Sequence, residues 1–193
     1  MSFATLQAYV RAFFPELPAP HWIGMGVLAL VLTVFLALRR KYPLYAAAAL
    51  GFTVLLGLFL LDGLVLVRRG GSQPLAHPGI DLAAEYRRLV SGNEEILFLI
   101  LFNIAVFVPF GFTLAEFLAS AKRLAGWRCL KYTALTALGL SLCIECLQLI
   151  LRAGMFELTD LVLNTAGAVL GAALPSYLDR TFRKGSRRSR TSV

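Results

Sequence analysis

The side chains of this 193-residue chain with the most chemical potential are Glu145 and Asp160, two carboxylates, with the amides Asn103, Gln148 and Asn164 and the guanidinium of Arg152. A carboxylate can accept hydrogen bonds or serve as a general base, the amides can both donate and accept, and an arginine can grip an anion through two parallel N–H donors. Their spacing is helical. Ser141, Glu145, Gln148 and Arg152 recur at steps of four, three and four within SLCIECLQLILR, which places one polar stripe on an otherwise apolar cylinder. Asp160, Asn164, Gly167 and Gly171 repeat the same steps in the next apolar run. Other reactive arrangements are missing. Gly139-Leu140-Ser141-Leu142 is no nucleophile elbow, no histidine lies in an apolar run, and His21 and His77 fall outside both stripes. Cys143 and Cys146 have C-x-x-C spacing, but inside an apolar helix they read as small packing residues and not as a redox or zinc pair. No metal site and no cofactor is therefore expected.

The elements that position these residues follow from hydropathy. Hydrophobic residues make up 58% of the chain, mean hydropathy is +0.72, and the apolar residues gather into runs too long for a soluble core. A bilayer core about 30 Å thick needs about 20 mostly apolar residues per crossing helix. Segments near 22–38, 44–67, 96–120, 132–151 and 158–178 meet or approach that length. The expected fold is an all-α, polytopic membrane helical bundle of about five transmembrane helices. The first run lacks the basic region and small-residue cleavage site of a signal peptide, so it reads as a retained span.

Basic residues set the expected orientation, because Lys and Arg are retained on the cytoplasmic side. With the amino terminus outside, Arg39, Arg40, Lys41, Lys122, Arg123, Arg128, Lys131 and the tail RTFRKGSRRSR fall inside, and the net charge of +8 becomes mainly a topology signal. The tail can also rest on anionic headgroups. That accounts for its charge without nucleic acid, whose single-strand binders interleave aromatics with basic residues. The expected layout is an interfacial segment over 1–20, a transmembrane domain over 21–178 and a basic cytoplasmic tail over 179–193 of a multi-pass cytoplasmic-membrane protein. The loop 68–95 is external in this topology, and Leu82, Tyr86 and Leu89 share one face of a surface helix that can cover a site beneath.

At 1.5 Å per residue, Glu145 lies roughly 9 Å below the outer end of its helix, and Asn164, Asn103 and Asp62 reach a similar depth on three others. Gln148 sits a turn higher, and Arg152 and Asp160 flank the mouth, which describes a polar pocket open to the outside. Glu145 is then protonated, hydrogen-bonded to Gln148 or Asn164, or paired with Arg152. The Gly167 and Gly171 pair lets another backbone come close, and the short turn before the fifth helix makes the fourth helix its natural partner. Pro109 marks a kink, relieved by nearby Gly111.

Three stretches in order carry a resemblance: NIAVFVPFGF with Asn103, Pro109 and Gly111, then IECLQ, then FELTDLVLNTAGAVLG. Over residues 96–174 the chain resembles the VanZ family of small bacterial membrane proteins. Where that family often has two adjacent acidic residues ahead of the fifth helix's asparagine, this chain has Thr159 and Asp160. The resemblance implies a cell-envelope role, with a lipid-linked or peptide-bearing wall component as partner and an influence on glycopeptide (teicoplanin) susceptibility. An intramembrane enzyme acting on a lipid-linked headgroup and a small transporter subunit, completed in an oligomer, stand as the alternatives.

Overall fold

The computed structural model describes residues 19–69, 86–87, 90, 94–151 and 156–190. Every element among them is an α-helix: α1 (Ala19–Arg40), α2 (Leu44–Arg69), α3 (Glu94–Lys122), α4 (Trp127–Ile150) and α5 (Leu158–Arg190). The helices form because long apolar runs in a bilayer can satisfy their backbone donors and acceptors only within the segment. Four of them, α1 to α4, are long and apolar enough to cross a membrane, and α5 contributes a shorter apolar stretch, Leu158–Leu174. That stretch of 17 residues sits at the lower end of the roughly 17–25 that span a bilayer. The backbone of α5 stays helical to Arg190, well past the expected end of the span at residue 178.

The bundle buries polar side chains among apolar ones and is apolar outside. Its largest fully buried side chains include Gln148, Glu145, Asn164, Thr133 and Ser141 beside Phe107, Leu60 and Ile144, whereas Leu44, Ile150, Leu38 and Val162 are strongly exposed. A soluble domain reverses that distribution, so lipid is the solvent this surface fits. An apolar core joins Leu60, Leu64 and Val65 of α2 to Phe107, Phe110 and Leu114 of α3, with Ala137 and Ile144 of α4 and Ala168 of α5. α1 packs mainly on α2, where Thr33 lies against Gly51, and leaves most of its apolar side chains uncovered.

The closest backbone approach is between α3 and α5. A Cβ placed on Gly167 would lie 2.2 Å from the Ile104 carbonyl oxygen, one on Gly171 2.0 Å from that of Val108, and one on Gly111 2.0 Å from that of Ala168. The glycine pair of α5 therefore meets α3, not α4 as the short α4–α5 turn suggests. Connection length makes α4 a neighbour, but the depth of contact is set by the facing surface, and Gly111 supplies the complementary hollow on α3. Pro109 is on the exposed side of α3, inside a helix that runs on through it. One turn further on, Thr113 Oγ1 donates to the Pro109 and Phe110 carbonyls at 3.1 Å each.

The two turns at the basic end are tight. Lys41 takes a left-handed conformation with φ 52°, and Tyr42 N–H donates to Ala37 O at 3.1 Å, which closes α1 with a Schellman-type bond. Gly126 precedes α4 at φ 58°, ψ −135°, the mirror image of extended backbone and accessible in practice to glycine alone. Aromatic rings collect cations here: Lys122 lies 5.7 Å from the Tyr42 ring, Lys131 5.3 Å from Trp127 and Arg39 5.0 Å from Phe35. Glu116 accepts a hydrogen bond from the Tyr45 hydroxyl. Such aromatic and basic belts mark the interface between hydrocarbon and water.

Candidate functional site

At the other end of the bundle α4 turns into α5, and the polar residues converge there. Glu145 on α4 is 1% exposed, and its Oε2 accepts the Glu157 N–H at 2.9 Å. Glu157 immediately precedes α5, so its N–H belongs to the free donors that every helix start presents. Asp160, in the first turn of α5, is 6% exposed and receives Asn103 Nδ2 of α3 at 2.6 Å on its Oδ1. A carboxylate in that turn is also favoured by the helix dipole. Two acidic side chains thus hold the start of α5, one from within it and one from α4.

Below this pair, Asn164 Nδ2 donates to Ser141 Oγ at 2.9 Å and ties α5 to α4. Asn164 is 1% exposed, and its Oδ1 has no hydrogen-bond partner among the described residues. Gln148 Nε2 donates to the Leu64 carbonyl at 2.7 Å, which ties α4 to α2. The Leu64 oxygen can take this bond because a helical carbonyl has a second lone pair. Four helices meet through these contacts.

The structure thus brings Asn103, Glu145, Gln148, Asp160 and Asn164 together in the interior. Arg152 lies outside the described residues, as do the amino-terminal segment and most of the loop ahead of α3, of which Tyr86, Arg87 and Val90 are helical and exposed. Glu145 gains a donor that the sequence does not suggest, a main-chain N–H. Ser141 belongs to the site as well, and its place one turn below Glu145 on the α4 stripe was the signal for it. Thr133 and Ala137 extend the same buried stripe toward the basic end. Asp62 lies elsewhere, lining a cavity of about 260 Å³ between α1, α2 and α4 together with Met25, Leu58, Leu61, Val65 and Leu147. Cys143 and Cys146 are free thiols on the exposed face of α4, so they do not pack within the bundle as expected. The stripe of 141, 145 and 148 points inward, and positions 143 and 146 fall on the far side of the same helix. Among the described residues no three His, Cys, Asp or Glu side chains gather closely enough to hold a metal ion.

An all-helical bundle with lipid-facing apolar sides and a buried polar cluster defines a multi-pass membrane protein. The VanZ/LLP1 family model matches residues 71–179, more than half of the chain. The chain belongs to this family. No curated protein and no solved structure matches it.

Proposed function

We propose that this protein binds a polar group of a cell-envelope component at the α4–α5 turn, from the outer face of the cytoplasmic membrane, and so alters glycopeptide susceptibility. The observation that carries this reading is the burial of two carboxylates, Glu145 and Asp160, at one helix junction. A clasp between helices needs only neutral amides or hydroxyls, as Asn164 and Ser141 illustrate. Carboxylates at this depth are costly to hold in a membrane, and where they occur they mark binding or transfer sites by default. The Oδ1 of Asn164, which has no partner among the described residues, gives the same cluster a spare acceptor. In this reading Asn103, Glu145, Gln148 and Asn164 hydrogen-bond the ligand's polar groups and Arg152 contacts its anionic part, beneath the external loop, while the basic tail rests on anionic lipid inside the cell.

Glu145→Gln tests this directly, because it keeps the side chain's shape and one acceptor oxygen while removing the charge. Membrane abundance should hold, and the change in teicoplanin susceptibility conferred on a host lacking its own copy should disappear. Loss of the protein from the membrane would assign the carboxylate to folding. Unchanged susceptibility on deleting the whole gene would remove the glycopeptide role.

A further inference from the structure

The cavity between α1, α2 and α4 is separate from the polar cluster. Leu147 and Val65 in its wall are chain neighbours of Gln148 and Leu64, which hydrogen-bond to each other, and no described lining residue belongs to the cluster. Among the described residues its lining is apolar except for Asp62. Its volume of about 260 Å³ falls below the range of about 300–1,000 Å³ typical of pockets for drug-sized molecules. That is room for part of a hydrocarbon chain.

α1 reaches the cavity through Met25 and packs loosely on either side of it: a Cβ added at Gly24 or Gly26 would meet no atom within 4 Å. Left empty, an aliphatic cavity forfeits the dispersion contacts its walls would otherwise make, and the surrounding solvent here consists of aliphatic chains. A carboxylate within such a lining is what discriminates among them. Hydrocarbon alone solvates no acceptor, and a carboxylate offers about four acceptor sites, so a donor on the ligand adds to whatever the protein already supplies.

We propose that this cavity is a lateral binding site for an aliphatic amphiphile, its chain lying between Leu58, Leu61, Val65 and Leu147 and its terminal hydrogen-bond donor, a hydroxyl or an amine, directed at Asp62. It stands independently of the role given to the α4–α5 turn.

The test uses the purified full chain in nanodiscs and a hexadecan-1-ol carrying a mid-chain diazirine, with the matching methyl ether as a probe that cannot donate. Photolabelling mapped by mass spectrometry should concentrate the alcohol on peptides containing Leu58 to Val65 and Leu147, and unlabelled hexadecanol should compete it away. The ether should label these peptides less. Leu58→Trp, which fills the cavity, should abolish the labelling there, and Asp62→Leu should remove the alcohol's advantage over the ether while chain labelling persists. Should Leu58→Trp fail to fold, competition on the unaltered protein still decides the matter. Labelling spread evenly over the exposed faces of all helices, or indifferent to competitor, overturns the site, and equal labelling by alcohol and ether overturns the role of Asp62.

Discussion

Replacing Gly167 with alanine should loosen the polar cluster from a distance. The new Cβ would lie 2.2 Å from the Ile104 oxygen, with the carbonyl carbon and Cα at 2.9 and 3.0 Å. All three are backbone atoms, so no side chain can swing aside. Reaching an ordinary carbon–oxygen approach of about 3.3 Å requires α3 and α5 to part by about 1 Å. Asn103 is the residue before Ile104, and its 2.6 Å bond to Asp160 would stretch to about 3.6 Å, past the limit of a hydrogen bond. Overpacking costs about 1–3 kcal/mol, and an interhelical hydrogen bond in a membrane protein adds roughly 0.6–1.7 kcal/mol. Alanine's better helix propensity returns at most about 1 kcal/mol, which leaves a net loss of about 2 kcal/mol. Reversible unfolding in mixed micelles, followed by helical circular dichroism, would measure it. Gly139→Ala is the matched control: a Cβ there meets nothing within 4 Å, so its stability should equal or slightly exceed the parent's. In a cycle with Asn103→Ala the two losses should add to less than their sum, because both remove the same bond. Stability of Gly167→Ala within about 0.5 kcal/mol of the Gly139→Ala control would refute the argument, since distant surface changes have effects of that size.

Two further outcomes are expected. In a variant without the native cysteines, an impermeant thiol reagent should label a cysteine at position 72 in intact cells and leave one at position 189 unlabelled, as external loop and internal tail require; the reverse pattern would invert the site. Asn103→Leu should destabilise the protein by about 1–3 kcal/mol, because the buried Asp160 carboxylate loses the Asn103 donor, whereas Asn103→Leu combined with Asp160→Leu should recover part of that loss, since removing both partners of this bond leaves neither of its two groups unsatisfied. Unfolding measurements on the two proteins check the order, and the double variant should remain inactive toward envelope phenotypes if the carboxylate serves a ligand.

Helix positions were legible in the sequence because a bilayer imposes both length and hydropathy. The apolar runs near 44–67 and 96–120 became α2 (Leu44–Arg69) and α3 (Glu94–Lys122) with shifts of only a few residues. The inward stripe on α4 was legible for a related reason: in an apolar helix, polar residues at helical spacing can turn only toward protein. The partner of each polar group was not. Glu145 and Gln148 are met by main-chain atoms, the Glu157 N–H and the Leu64 carbonyl, and every residue carries those groups, so no side-chain pattern distinguishes the ones used. Asp62 shows a second limit. Depth along α2 was readable, but the direction in which Asp62 points depends on how α2 is rotated against its neighbours, and that rotation puts it on the α1 side. The glycine face failed similarly, since the choice of α3 over α4 rests on Gly111 lying opposite Ala168 in the assembled bundle.

The extent of the family match separates the two candidate sites. Residues 71–179 include α3, α4 and the first two-thirds of α5, and with them Asn103, Ser141, Glu145, Gln148, Asp160 and Asn164. The named side chains of the polar cluster come from this segment, and the preceding chain adds the Leu64 carbonyl, a contact that any residue at that place in α2 could provide. The aliphatic cavity has the opposite origin: of its described lining, Met25, Leu58, Leu61, Asp62 and Val65 precede the match and Leu147 lies within it. The three matched helices already close the cluster's side-chain bonds by themselves, through Asn103 to Asp160 and Asn164 to Ser141, so α1 and α2 are not needed to form those bonds. Their contribution is to shield the cluster on one side and to build the cavity beside it. Changes at Leu58, Leu61 or Asp62 should therefore alter which lipid chains the protein accepts and leave the junction of α3, α4 and α5 intact.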